Sequence, residues 1–281
     1  MEGRTLAERI RAEVADEVRE LGEIGLATVQ VGEDPASSIY LRRKHEAADE
    51  AGIRSLDVKL PAGISEGELL EIVAELNADD SIDGILVQLP LPEQLDEARV
   101  IAAVDPVKDV DGFHPFNAGQ LYLGRPTHVP ATPLGIMALL AEHRIVLEGS
   151  RAVVVGRSDI VGKPIAHLLL QSNATVTICH SRTDDLERHT LDADVLVVAA
   201  GVADVVSADM VKSGAAVVDV GINRTEAGLV GDVDPGAMAV AGHITPVPGG
   251  VGPMTIAMLL RNTLRAARYR RGLLAFPETR R

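Results

Sequence analysis

Short β-branched apolar runs alternate along this chain with stretches whose apolar positions recur every three or four residues, the pattern of parallel strands covered by helices. The first half reads as a helix over Arg4 to Leu21, a strand over Leu26 to Val31, a helix over Ala36 to Ala51, a strand over Ser55 to Leu60, a helix over Ser65 to Asn77 and a strand over Gly84 to Leu89. Asp34 is suited to cap the second helix and Pro35 to open it. Periodicity then lapses between Asp105 and Pro130, in a stretch rich in Pro, Gly and Asp that is long for a connection inside a compact domain. It resumes with a helix near Thr132 and strands at Arg151 to Val155, Thr175 to Cys179, Val195 to Ala199 and Ala215 to Val220; a helix over about Pro253 to Arg271 closes the pattern. The predicted fold class is α/β, in two units.

Composition narrows the partners. The chain has 281 residues, 46% of them hydrophobic, enough for two medium domains, and a net charge of −14 disfavours nucleic acid and anionic membrane. Met1 to Arg11 is charged and amphipathic, unlike a signal peptide, and no apolar run reaches membrane-spanning length, so a soluble cytoplasmic protein with a small-molecule ligand is expected. Cys179 is the only cysteine, which rules out an internal disulfide, and no Cys/His cluster has zinc spacing; no metal is expected. Arginine greatly outnumbers lysine, the only lysines being Lys44, Lys59, Lys108, Lys163 and Lys212.

Several segments carry candidate chemistry. Strand RAVVV runs into Gly156-Arg157-Ser158 and, past Gly162-Lys163-Pro164, into an apolar helix, a phosphate-binding strand-turn-helix in which only Gly156 keeps the register of G-x-G-x-x-G. The next strand ends in Cys179-His180-Ser181-Arg182, with no carboxylate before Asp184 where an NAD enzyme would hold the ribose hydroxyls. Arg157 with Ser181 or Arg182 can instead hold a 2′-phosphate, which favours NADP; otherwise the arginines are solvated charges. Tyr40 and Lys44, four residues apart, share one helix face, either as a stacking ring and a reactive amine or as packing with a solvated tip. Gln88 ends a strand buried on both faces and is either a structural bridge or a group aimed into a ligand cleft. Asp109 and Asp111 either bind a cation or order a turn. The glycine-rich run from Pro246 to Thr255 either approaches a ligand or connects two elements tightly.

These pieces occur within VGEDPASSIYLRRKHEAADEAGI, GILVQLPLP, DPVKDVDGFHPFNAGQL, PATPLGIM, VVVGRSDIVGKP, TVTICHSRT, VVDVGINR and ITPVPGGVGPMT. In this order and at these spacings the chain resembles the bifunctional methylenetetrahydrofolate dehydrogenase/methenyltetrahydrofolate cyclohydrolases over nearly its whole length. The resemblance implies an N-terminal folate-binding catalytic domain over 1–121, a Rossmann-type NADP-binding domain over 122–259, a cleft between them, and a closing helix over about 260–281 that returns to the first. It implies Lys44 as the catalytic lysine, Tyr40 as the ring stacking on folate, Gln88 as the partner tuning the lysine and Asp111 as the pterin anchor. Val87, Leu89, Pro248, Gly249, Gly250, Gly252 and Thr255 would complete the folate site, and Gly156, Arg157, Ser158, Ser181 and Ile222 the NADP site. A homodimer acting on tetrahydrofolate derivatives follows from the same resemblance. Ala131 departs from it, standing where some relatives have cysteine.

Lysine suits the proton shuttle that hydrolysis of the methenyl bridge needs if its pKa is depressed, by desolvation, by the substrate's charge and by crowding from Arg42 and Arg43; arginine stays protonated and cannot serve. The alternatives are another two-domain NADP dehydrogenase of the shikimate type and a dinucleotide-binding module without catalysis.

Overall fold

The computed structural model of the chain describes residues 1–32, 35–226 and 228–277, the side chains of 35–40 excepted. It divides into two compact units, one made of 8–131 and 256–281, the other of 1–7 and 132–255.

The first unit begins with α1 (Arg4–Leu21), whose first turn belongs to the other unit. Leu6, Ala7, Ile10, Val14 and Val18 form its buried face at helical spacing. Strands β1 (Ile24–Val31), β2 (Ile53–Leu60) and β3 (Gly84–Val87) make a parallel sheet in the order β2-β1-β3, connected by α2 (Pro35–Glu50) and α3 (Glu66–Ala78). The central β1 is buried along its entire length, Thr28 and Gln30 included, so neither of its faces is turned to solvent. α3 starts on a capping box in which Ser65 accepts from the Glu68 N–H and Glu68 accepts from the Ser65 N–H. α2 opens on Pro35 as expected, whereas the capping role given to Asp34 lies outside the described residues.

Within this unit two helices stand where none was predicted. α4 (Glu97–Ala103) is capped by Asp96, and α5 (Pro115–Tyr122) lies inside the long aperiodic stretch, with His114 as its cap and Pro115 in its first turn. Both are short and follow proline- or aspartate-rich sequence, so their periodicity is too brief to register. Strand β3 also ends at Val87, so Gln88 stands just beyond the strand instead of within it.

The second unit comprises α6 (Ala131–Glu142), β4 (Arg151–Val155), α7 (Gly162–Gln171), β5 (Thr175–Cys179), α8 (Leu186–Thr190), β6 (Val195–Val198), β7 (Ala216–Asp219), a hairpin of β8 (Asn223–Thr225) and β9 (Gly228–Val230), and β10 (His243–Ile244). Its sheet has the order β10-β7-β6-β4-β5, parallel throughout. From β4 the chain goes to one neighbour, β5, and then returns to the other, β6, so the topology reverses beside the carboxyl end of β4, where open α/β sheets bind ligands. The small elements α8, β8, β9 and β10 escaped the periodicity because each is five residues or fewer.

Helix α9 (Val251–Arg270) completes the chain, starting two residues earlier than predicted. Near its end Arg270 donates to Asp83 at 2.7 Å, and Asp83 also accepts from the Gly25 N–H, which ties the helix to the start of β1. Beside it His128 is fully buried, its Nε2 donating to the Val107 carbonyl at 2.8 Å and its ring meeting Tyr269 edge-on. Burial drives the His128 pKa down to about 4. The unfolded chain therefore takes up this proton first as the pH falls, so the stability gained by keeping the ring neutral is complete above pH 6.5 and is lost towards pH 4, at about 1.4 kcal/mol per pH unit. The unfolding free energy of the parent relative to His128→Phe should accordingly fall by about 3 kcal/mol between pH 7 and 4 in urea titrations; a pH-independent difference would refute the assignment.

Candidate functional site

In the unit formed by 8–131 and 256–281, the chemistry gathers beyond the carboxyl end of β3. Lys44, on α2, is 8% exposed and donates from Nζ to Gln88 Oε1 at 3.3 Å. The Gln88 amide nitrogen donates to the Leu89 carbonyl at 2.7 Å, and its backbone N–H continues the ladder to Val29. Gln88 therefore acts both as a bridge to the adjoining backbone and as a partner for the amine. Val87 is buried in the strand and Leu89 is half-buried after it. Tyr40 shares the helix with Lys44, but its side chain lies outside the described residues.

Burial lowers the Lys44 pKa, opposed by the charge of Asp111, while burial pushes Asp111 up to about 6 against the restraining pull of Lys44. The cause at Lys44 is thus desolvation and not the expected crowding by Arg42 and Arg43: both are exposed, and Arg42 pairs with Glu46.

Asp111 is held by an unusually well-anchored segment. The Asp105 N–H donates to Asn77 Oδ1, and the Val107 N–H to Asp105 Oδ1. The Val107 carbonyl accepts from His128, and the Lys108 carbonyl accepts from the Ile85 N–H at 2.7 Å, beside β3. Lys108 itself is buried, its ammonium spread over the carbonyls of Leu76, Asn77 and Asp79 at 2.7–3.0 Å around the C-terminal end of α3. An ammonium has three protons for three such oxygens. Asp109, also buried, accepts from the N–H groups of Phe113 and His114 and from Asn117 Nδ2. Its oxygens are occupied by N–H donors, so the cation reading of the Asp109/Asp111 pair gives way to a turn-ordering role for Asp109; among the described residues no His/Cys/Asp/Glu cluster suits a metal. Gly112 ends the segment at φ +70°, packed so tightly that a Cβ would lie 2.8 Å from the Val129 carbonyl carbon.

The other unit carries the phosphate-type turn. Sheet register aligns Cys179, Val155, Val198 and Asp219 in one row, so Arg157, Ser181 and Ile222 all emerge two or three residues beyond the same edge. All three are exposed. Gly156 has φ +128°, and a Cβ there would lie 2.2 Å from the Ala199 carbonyl oxygen; only glycine brings the backbone this close. Ser158 Oγ accepts from the N–H groups of Val161 and Gly162 at the start of α7. Pro248, Gly249 and Gly250 form a turn closed by the Gly250 N–H on the Pro246 carbonyl, and Gly252 and Thr255 follow in α9, with Thr255 Oγ1 2.9 Å from Thr132 Oγ1.

The tetrahydrofolate dehydrogenase/cyclohydrolase family model matches this chain twice, its catalytic domain over residues 1–111 and its NAD(P)-binding domain over 130–271. The chain belongs to this family. The bifunctional protein FolD of Acidiphilium cryptum is 57% identical over 274 residues, covering 96% of this chain and 98% of that protein. The solved FolD methylenetetrahydrofolate dehydrogenase/cyclohydrolase of Campylobacter jejuni is 48% identical with a TM-score of 0.94, covering 96% of this chain and 98% of its own. The Trypanosoma brucei enzyme, solved with NADP and an inhibitor, is 39% identical with a TM-score of 0.91 and 98% coverage of each chain. Identity of this extent removes the shikimate-type alternative.

Sequence reasoning passed over the residues that hold the site in this family member: Lys108, Asn117, His128 and, in the other unit, Asp219 and Asp232. Buried Asp219 accepts from the N–H groups of Gly221, Asp232 and Val233, and buried Asp232 accepts from Ala200, Gly201 and Asn223. The two carboxylates thereby order the segment that displays Ile222. The only local signal was a glycine within two residues of each aspartate; their partners are 2 to 32 residues away.

The charge coupling of Lys44 and Asp111 has a direct test. Removing the amine in Lys44→Met should raise the Asp111 pKa above its value of about 6, followed through the side-chain carboxyl carbon by NMR titration. An unchanged or lower value would show that the two groups do not interact.

Proposed function

We propose that this protein oxidises 5,10-methylenetetrahydrofolate to the methenyl form with NADP and then hydrolyses that product to 10-formyltetrahydrofolate, as a cytoplasmic homodimer. The observation that carries the reading is a desolvated lysine amine held by a glutamine and coupled to an aspartate, in a chain that matches both domains of the family. Among the described residues no helix is long and apolar enough to cross a membrane.

The unit of 8–131 and 256–281 carries the folate site. Asp111 accepts the two adjacent N–H groups of the pterin edge, Tyr40 stacks on the ring, and Val87 and Leu89 line the same site. In the other unit Gly156 admits the cofactor pyrophosphate, Ser158 lies at the helix start that favours anions, Arg157 and Ser181 hold the 2′-phosphate, and Ile222 covers the ring. The exposed Arg157 and Ser158 just past the carboxyl end of β4 fit such a group, and Gly156 is required before them by the Ala199 carbonyl, which a Cβ would meet at 2.2 Å.

NADP, when bound, supplies the hydride acceptor, so the chain's task in oxidation is positioning and exclusion of water. Hydrolysis asks more of the side chains. As water adds to the cationic bridge carbon, Lys44 takes one of its protons; as the carbon–nitrogen bond breaks, the ammonium returns that proton to the leaving ring nitrogen, and the hydroxyl of the adduct gives up its own proton to solvent as the formyl C=O forms. Desolvation favours the neutral amine that begins this cycle, and Gln88 Oε1 orients it.

The decisive assay mixes the protein with methylenetetrahydrofolate and either NADP or NAD, following reduced cofactor, methenyl and formyl products separately. No turnover with NADP bound would favour the noncatalytic dinucleotide-binding module. Lys44→Met should lose cyclohydrolase activity by about 100- to 10,000-fold with NADP binding retained, and Lys44→Arg should not recover it; activity within twofold of the parent would remove Lys44 as the shuttle. Arg157→Ala should lower the preference for NADP over NAD by about 10- to 100-fold and spare NAD use. Equal losses with both cofactors would make Arg157 structural.

A further inference from the structure

Asn262, on α9, is 3% exposed and donates through Nδ2 to two backbone carbonyls, Val110 and Val129, both at 2.8 Å. The Val110 carbonyl belongs to the peptide that joins Val110 to Asp111, so holding its oxygen fixes the plane from which Asp111 departs. The Val129 carbonyl belongs to the peptide that precedes Pro130, and this peptide lies against Gly112, where a Cβ would meet Pro130 N at 2.9 Å. Two backbone segments therefore converge on either side of Asp111, each offering an acceptor. Carbonyl oxygens cannot bond one another, and proline has no N–H to offer, so a shared donor is needed. The amide nitrogen of Asn262 has two protons and uses both. Its neighbour Thr263 spends its hydroxyl inside the helix, on the Leu259 carbonyl, and makes no such bridge.

We infer that Asn262 is a positioning residue for folate binding, acting through Asp111 by clamping the Val110 and Val129 carbonyls. The inference rests on the reading of Asp111 as the pterin anchor. It gives the far end of the chain a role in substrate affinity that no contact of its own with substrate would explain. A displacement of an anchoring group by about an ångström can cost up to about a hundredfold in a binding or rate term.

The test is a double-mutant cycle on the full chain. Asn262→Leu removes both donors at similar volume; Asn262→Ser keeps one donor on a shorter side chain and carries the test if the leucine variant does not fold. With folded fraction checked by near-ultraviolet circular dichroism, Asn262→Leu should raise KM for methylenetetrahydrofolate by about tenfold or more, Asn262→Ser by less, kcat should fall less than KM rises, and KM for NADP should stay within twofold. Added to Asp111→Asn, the Asn262 substitution should change folate KM by less than twofold, because the group it positions is already lost. A folded Asn262 variant with unchanged folate KM, or one with the same fold-change in the Asp111→Asn background, would overturn the inference while leaving the anchor in place. An Asp111→Asn protein with normal folate KM would overturn the anchor and the inference with it.

Discussion

An amine and a carboxylate share a poorly solvated place beyond β3, and that arrangement sets the terms for the unit around it. Desolvation disfavours both charged forms, driving Lys44 down and Asp111 up, while their mutual attraction opposes each shift. A pair balanced in this way keeps both shifts only if neither group swings into water, where both would return to ordinary values. The surrounding structure therefore has to restrain backbone as well as side chains.

The restraint on Lys44 comes from two places, its own helix and a glutamine at the first position past a fully buried strand. The restraint on Asp111 is distributed. From Asp105 to Val110 nearly every residue is tied elsewhere, to α3 through Asn77 and Lys108, to β3 through Ile85, to the start of α5 through Asp109, to His128, and to α9 through Asn262. Aperiodic sequence buried inside a domain must find a partner for each backbone polar group, and these side chains supply them. The concentration of buried polar residues here, Lys108, Asp109, Asn117, Thr127, His128 and Asn262, is thus the structural counterpart of having no regular ladder.

The same solution recurs in the other unit with aspartates. Asp219 and Asp232 gather the N–H groups of the segments leaving β6 and β7, and Ile222 is displayed where they converge. Between Gly156 and α7 the backbone manages by itself, through a glycine geometry that admits no side chain and a serine that serves the helix start. Loops at the carboxyl edge of a parallel sheet can be made firm by either route, and this chain uses both.

Lys44 and Gln88 could be singled out from sequence, as could Gly156, Arg157 and Ser181, because each sits at an identifiable place relative to a strand or helix whose period is strong, whereas Asp111, in the aperiodic stretch, was separated from Asp109 only by the family resemblance. β1 and β4 to β7 were legible for the same reason, their apolar runs being the direct imprint of burial on both faces. What tertiary structure alone decided is longer in range. α5 hides in an aperiodic stretch, Lys108 carries no local sign that its ammonium is spread over three backbone carbonyls, and Asn262 sits 152 residues from the carbonyl it holds. Which of the causes expected from sequence acts on the Lys44 pKa was also decided here: Arg42 and Arg43 are exposed, and desolvation is the cause. Periodicity and local turn chemistry record interactions within a few residues, whereas burial and hydrogen-bond partnership depend on which distant segments meet, and that information exists only once the chain has folded.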